Sequence, residues 1–374
     1  MLRSKLPFIA ITASLFITAS ANAEEIGALF PLSGPNATYG DIFMSGADLA
    51  VRHANEDKML SDDLSIIYED SQALPQQGVV AMNKLVNVEA VPYVLSAFTG
   101  VSKAISTLAQ RSQTVAVNGG GVGPDLAELG EYFWNVIPLA NNEVGALVRY
   151  AVNDLGHKRF VLVYVDDPLG ESIQKELEKS LPPLGAELVD AHSIASSAQQ
   201  FSGVAARVRS ANPDMVYVAS YGSQQLQIVK QLRDNGVNAQ IASYSAFSVP
   251  ELQQQEEALG SLFTTQSIDW DSEDPITKRF VDDYNAEHGK NPTSYIANYY
   301  NAVRVFALLA QDLEEQGKEI TGANLLAQRK ATDTFKLVGG EVSFQENGTL
   351  LAPIQVLEVD GSGSGKVVFV NTAE

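Results

Sequence analysis

Two hydroxyl side chains, Thr99 and Ser102, lie just beyond a short apolar run, Tyr93-Val94-Leu95, and open an apolar-periodic stretch carrying Ala104, Ile105, Leu108 and Ala109. Strand, loop and helix follow one another here. The first N–H groups of a helix have no partner within it, and the helix dipole is positive at that end, so the site attracts anions. In open parallel sheets, ligands also sit beyond the carboxyl ends of strands. The loop from Ser96 to Ser102 is therefore expected to grip a small anionic or polar group; the plainer alternative is an ordinary strand-to-helix connection with a hydroxyl cap. A second loop, Asn118-Gly119-Gly120-Gly121-Val122-Gly123-Pro124-Asp125, carries four glycines in five positions. Glycine lets a backbone approach a ligand or another chain segment closely. It is not a phosphate loop, since no Gly-Lys-Ser/Thr follows, and Pro124 falls where a dinucleotide fingerprint needs its last glycine.

Other chemistry is poorly served. Asp166-Asp167 follows a strong apolar run, where catalytic carboxylates often lie, but neighbours on a strand face opposite ways, and such residues also cap helices. His53, His157, His192 and His288 lack metal-ligand spacing. No Gly-x-Ser-x-Gly elbow is present. No enzyme activity, metal or cofactor is expected. The formal net charge of −20 and the lack of a basic stripe argue against nucleic acid. Arg3 and Lys5, the apolar run from Leu6 to Ala19 and Ala21-Asn22-Ala23 form the three-part pattern of a secretory signal peptide over residues 1–23. Its removal with two basic residues takes the charge from −20 to −22. The chain has no cysteine, so neither a lipid anchor nor a disulfide-stapled fold is expected. These features together point to a bacterial periplasm.

The elements that position these loops alternate strand and helix. Strands are expected at Glu25–Phe30, Leu64–Tyr68, Tyr93–Leu95 and Thr114–Val117. Helices are expected near 41–55, 76–88 and 101–109. This spacing argues for βαβ units and a parallel sheet. A second series starts near Asn142, with strands at Phe160–Val165, Leu188–Val189, Met215–Val218 and Ile241–Ala242. Its helices fall near 170–181, 200–211 and 223–235. Phe160-Val161-Leu162-Val163-Tyr164-Val165 suits a strand covered on both faces. Two doubly wound halves follow, breaking near Pro138-Leu139-Ala140. Helices near 275–288 and 293–315 come next; Tyr295, Tyr299, Tyr300 and Phe306 read as core on the second. Short strands are expected at Glu341–Phe344, Ile354–Val359 and Val367–Val370.

Taken in order, several segments resemble the branched-chain amino-acid (Leu/Ile/Val) binding proteins of ABC importers. They are Leu32-Ser33-Gly34-Pro35 with Tyr39-Gly40, Glu69-Asp70, Asn83-Lys84-Leu85-Val86, Pro124-Asp125-Leu126, Ala211-Asn212-Pro213-Asp214-Met215-Val216-Tyr217-Val218 and Pro292-Thr293-Ser294-Tyr295. The resemblance implies an α/β protein of two doubly wound parallel-sheet lobes, joined by a three-strand hinge, with a ligand in the cleft between them. It assigns residues 24–139 plus 272–345 to one lobe and 140–271 plus 346–374 to the other. It implies a monomer that closes on a small carboxylate-bearing molecule and docks on a permease in the inner membrane.

Site positions carry over one by one. Thr99-Gly100 resembles the family's carboxylate-holding Ser-Gly pair. Gly119 to Gly123, with Gly120 and Gly121 at its centre, resembles the second carboxylate loop, with Val122 where a threonine is usual. Tyr221 resembles a second-lobe tyrosine; another falls near Leu169. The acid that holds a ligand ammonium is expected near Ser245, where no carboxylate stands, although Asp166, Asp167 or Asp269 offers an alternative. A buried ammonium without its partner costs several kcal/mol, of order 3–5. The expected ligand is therefore a carboxylate with an apolar or aromatic body, bordered by Tyr39, Phe98, Ser102, Tyr221, Tyr244, Phe247 and Trp270. An amino acid, an amide or urea, and a sensory rather than a transport role are the alternatives.

Overall fold

The structure is a computed structural model and describes residues 24–371. The signal peptide expected over residues 1–23 lies outside the described residues. Two sheets organise the chain. The first is built from β1 (Glu24–Phe30), β2 (Leu64–Asp70), β3 (Tyr93–Ser96), β4 (Val115–Asn118) and β5 (Phe133–Asn135) in the order β2-β1-β3-β4-β5. All its pairs are parallel. Its crossovers are α1 (Ala37–Glu56), α2 (Pro75–Asn87) and α3 (Thr99–Ser112). β1, β3, β4 and β5 are short, mostly apolar and largely buried, as helix-covered parallel strands must be, whereas the edge strand β2 is mostly half-buried.

After α4 (Ala140–Asn153) the pattern restarts. Here β6 (Arg159–Val165), α5 (Pro168–Ser180), β7 (Glu187–Ile194), α6 (Ser202–Ala211), β8 (Met215–Ala219), α7 (Gly222–Asp234) and β9 (Gln240–Ser243) are followed by the four-residue α8 (Pro250–Gln253) and β10 (Leu262–Gln266). The chain then crosses to α9 (Pro275–His288), α10 (Ser294–Glu315) and α11 (Gly322–Ala331). A small antiparallel sheet of β11 (Phe335–Leu337), β12 (Gly340–Phe344) and β13 (Leu350–Leu351) comes next, before β14 (Ile354–Glu358) and β15 (Lys366–Asn371). The second large sheet runs β15-β14-β10-β9-β8-β6-β7. Its last two additions, β14 and β15, are antiparallel.

Three segments join the two sheets: residues 136–139, 267–274 and 352–353. They are stitched together where they cross. The Asn135 side chain donates to Thr349 Oγ1 (3.2 Å), and the Ser267 N–H donates to Pro353 O (2.8 Å). α10 packs along α1 close enough that a Cβ on Gly46 would sit 2.1 Å from Ile296 O. Burial of Tyr299, Tyr300 and Phe306 supports their reading as core.

Both large sheets share one feature that positions the site. The strand order doubles back beside β1 in the first sheet and beside β6 in the second, between β1 and β3 and between β6 and β8. At such a switch point, adjacent crossover helices leave on opposite faces and open a crevice beyond the carboxyl ends of the strands. The loops after β1, β3, β6 and β8 are those that flank the two crevices.

Candidate functional site

Those four loops meet across a cleft of about 460 Å³, within the roughly 300–1,000 Å³ range of small-molecule sites. Residues Gly34 to Asn36 come from the loop after β1, and Phe98 to Gly100 from the loop after β3. Asp166 to Leu169 follow β6, and Tyr221, Ser223 and Gln224 follow β8. Ser196 and Ser197, after β7, close one end.

The first-lobe wall is a grip built of hydrogen-bond donors. The ladder of α3 begins with the Ser102 N–H donating to Phe98 O (2.9 Å), so the N–H groups of Thr99, Gly100 and Val101 precede it without helical partners. Thr99 Oγ1 accepts the Gly123 N–H (3.1 Å). Accepting that bond leaves its own hydroxyl hydrogen free to be donated. The glycine loop serves this grip by shape. Asn118 Oδ1 accepts from Gly121 N–H (2.7 Å) and Gly120 N–H (3.3 Å), while Asn118 Nδ2 donates to Gly121 O (2.7 Å). A Cβ on Gly121 would lie 2.9 Å from Thr99 N, and one on Gly123 would lie 2.5 Å from Thr99 Cγ2. Only glycine permits the two loops to touch there.

Aromatic rings surround the grip. Phe98 precedes α3 with φ +64° and ψ 132°, a left-handed conformation that costs a bulky residue of order 1–3 kcal/mol. It turns the ring into the cleft, edge-on to Tyr39 (5.7 Å) and to Tyr221 of the opposite lobe (5.4 Å). Tyr39 also meets Tyr295 at 6.0 Å, and its hydroxyl accepts the Gly222 N–H (3.3 Å) from across the cleft. Phe43 and Tyr244 complete the lining.

Two carboxylates belong to the cleft. Asp166 is exposed at the rim. Asp167 caps α5 by accepting from the Gly170 N–H (3.0 Å), and its second oxygen accepts from the Tyr221 hydroxyl (2.6 Å). Burial pushes the Asp167 carboxyl above its ordinary range, while the Tyr221 and Gly170 bonds pull it back down. Burial and the adjacent Asp167 push the Tyr221 phenol up.

Of the residues singled out from sequence, the structure gathers Tyr39, Phe98, Thr99, Gly100, Gly120, Gly121, Val122 and Tyr221 on the cleft lining. Four others lie elsewhere. Ser102 is one turn into α3 and turns back to share a hydrogen bond with Ser96 Oγ (3.0 Å). Ser245 lies behind the cleft floor, its hydroxyl 3.3 Å from that of Tyr295. Phe247 is fully buried with the core on the other face of the second sheet. Trp270 stacks on Phe280 in the second crossing. Asp269 does not line the cleft either. Conversely, Tyr295, read as core, reaches the cleft, and Asn36, Phe43, Ser196, Ser197 and Gln224 were not anticipated. Their signal was positional, since Ser196, Ser197 and Gln224 follow the carboxyl ends of β7 and β8.

One buried acid had no sequence signal. Glu143, in the first turn of α4, is inaccessible, and its Oε2 accepts from Ser245 N–H (2.9 Å) and Thr264 Oγ1 (3.1 Å). Its Oε1 has no partner. Burial raises its pKa from 4.5 to about 7, against the Ser245 and Thr264 bonds.

Among the described residues, no cluster of three or more His, Asp or Glu is placed to hold a metal, and no helix is long and apolar enough to cross a membrane. The family of periplasmic binding proteins matches residues 25–365. The Leu/Ile/Val-binding protein BraC3 of Rhizobium johnstonii is 27% identical over 350 residues, covering 91% of this chain and 92% of its own. A branched-chain amino acid transporter substrate binding protein from Streptococcus pneumoniae, solved with isoleucine, superposes with a TM-score of 0.83 at 21% identity, covering 94% of this chain and 99% of that one. An ABC transporter solute binding protein from R. palustris, solved with 4-hydroxybenzoate, gives a TM-score of 0.84 at 19% identity, covering 94% and 98%. Identities this low speak to the fold.

Proposed function

This chain belongs to the periplasmic binding protein family, and on that premise we propose that it is the substrate-binding component of an ABC importer, closing its lobes on a small carboxylate with an aromatic or other apolar body. The observation that carries this reading is the pairing of an anion grip with a ring of aromatic side chains, while the inner carboxylate that lines the cleft, Asp167, is already engaged by Tyr221 and Gly170. Thr99 and the N-terminus of α3 supply hydrogen-bond donors to one end of the ligand. Phe98, Tyr39, Tyr221 and Tyr295 offer ring edges and faces to its body, geometry in which aromatic pairs gain about 0.5–1.5 kcal/mol each. The solved relative holding 4-hydroxybenzoate shares this fold. Delivery to an inner-membrane permease and a monomeric state belong to the same proposal.

One observation favours a second reading. Asp166 and Asp167 both line the cleft, and an amino acid's ammonium, like that of the isoleucine in the streptococcal relative, needs an acid. Asp167 already accepts from the Tyr221 hydroxyl and the Gly170 N–H, and its remaining lone pairs are open to such an ammonium.

A thermal-shift panel on residues 24–374 separates the two. At 100 times its dissociation constant a ligand adds about 2.7 kcal/mol of stability. Stabilisation by benzoate and 4-hydroxybenzoate with none from leucine, isoleucine or valine is the expected outcome. Stabilisation by the amino acids alone, abolished in Asp167→Asn, establishes the second reading and removes the first.

A further inference from the structure

Ser96 O, at the end of β3, accepts two hydrogen bonds from segments far apart in sequence. One comes from the Gly119 N–H of the glycine loop (3.4 Å), the other from the hydroxyl of Tyr299 on α10 (2.8 Å). The Gly119 carbonyl accepts in turn from Asn298 Nδ2 (3.2 Å), on the same helix. α10 therefore holds both loops of the first-lobe wall, the loop after β3 by one carbonyl and the glycine loop by another. Helical spacing makes this possible, because Tyr295, Asn298 and Tyr299 share one face of α10. Tyr295 lines the cleft, whereas Asn298 and Tyr299 stand behind it.

Tyr299 is fully buried. Its ring is fixed between those of Phe43, at 4.4 Å, and Phe30, at 4.8 Å. The glycine loop lies directly on this plate. A Cβ on Gly119 would sit 3.2 Å from the Tyr299 ring, and one on Gly120 would sit 2.8 Å from its hydroxyl. Contact with the ring stops the loop from settling toward α10, and the bonds to Ser96 and Asn298 stop it from lifting away. A little further along the two loops, Thr99 Oγ1 accepts the Gly123 N–H (3.1 Å), a bond that forms only if the loops keep this spacing. Burying a hydroxyl costs free energy unless it is paired. A phenylalanine would fill the same space without that cost, so what the Tyr299 hydroxyl adds is its bond to Ser96.

We propose that Tyr299 is a positioning residue of the cleft: without touching the ligand, its hydroxyl sets the spacing of the Thr99 loop and the glycine loop, and through it the affinity for a carboxylate. The proposal rests on the reading that these two loops hold the ligand.

Two measurements on residues 24–374 test it, each comparing Tyr299→Phe with Tyr300→Phe. Tyr300 is the next residue on α10 and is also buried, but its hydroxyl pairs with His53 Nδ1 (2.8 Å) rather than with a cleft loop. It therefore reports what loss of any buried phenol bond does. The first measurement is amide hydrogen exchange without ligand. Y299F is expected to speed exchange at Gly121 and Gly123 by about threefold or more, and Y300F to leave both amides as they are. The second is calorimetric titration with 4-hydroxybenzoate and, separately, with isoleucine. For the probe that the wild type binds, Y299F is expected to weaken affinity by roughly three- to tenfold, whereas Y300F lowers only the melting temperature. Unchanged exchange in Y299F, or an equal loss of affinity in both variants, overturns the proposal. A wild type that binds neither probe counts against the proposed function instead, and the exchange comparison still decides the role of Tyr299.

Discussion

Thr99 is the side chain on which the grip converges, because its hydroxyl receives one loop's N–H and keeps its own hydrogen free to be donated. Thr99→Val keeps the shape and removes both bonds. It is expected to weaken carboxylate binding by about ten- to a hundredfold, since hydrogen bonds to charged groups are worth about 1.5–3 kcal/mol; Thr99→Ser retains most of the affinity. Gly121→Ala, whose Cβ would press on the Thr99 backbone, is expected to reduce binding at least as far without touching the ligand. Calorimetry on the three variants measures this order. At this scale the sequence was partly legible. Thr99 and Gly121 could be found because small and hydroxylated residues interrupt apolar runs at strand ends. Phe247 and Trp270 could not be told from cleft aromatics, because a ring packed on the core and a ring facing a ligand have the same composition around them. Ser102 follows Thr99 by one helical turn, and only the coordinates show it bonding back to Ser96.

At the scale of elements, long apolar strands such as Phe160–Val165 were readable and β10 was not. Its sequence, Leu-Phe-Thr-Thr-Gln, is half polar yet wholly buried. Thr264 donates to Glu143 on α4, and Thr265 accepts from Gln355 on β14, so its polarity is matched by partners far away in sequence. β5, β11 and β13 hold three residues or fewer, too few to show a period. The bond from Glu143 to Thr264 also makes a prediction. The folded protein holds the Glu143 proton with a pKa near 7, above the value of 4.5 in the unfolded chain. The native state therefore binds more protons across that window, and stability contributed below about pH 4.5 is lost as pH rises toward 7, by of order 3 kcal/mol in all. Glu143→Gln carries no such proton. The stability of the wild type relative to E143Q, from urea melts at pH 4.5, 6 and 8, is expected to fall with pH; a constant difference would show that Glu143 does not titrate in this range.

For the whole molecule, the balance of charge matters more than any pair. With a formal charge of −20, the protein repels an anionic ligand before the local donors of the cleft act on it. Salt screens that field over a Debye length of about 10 Å at 0.1 M. The stopped-flow association rate of an aromatic carboxylate is expected to rise a few-fold from about 10 mM to about 0.5 M salt, whereas steering by a positive field would make it fall. The two-lobed plan was visible in the strand–helix alternation, but not how the lobes are threaded. The first sheet is packed under α10, 22 residues that begin at Ser294, and the second is finished by β14 and β15 at Ile354–Glu358 and Lys366–Asn371. Neither core can therefore close on a ribosome while most of the chain is still unmade. A nascent chain that has no finished half stays threadable to its last few dozen residues.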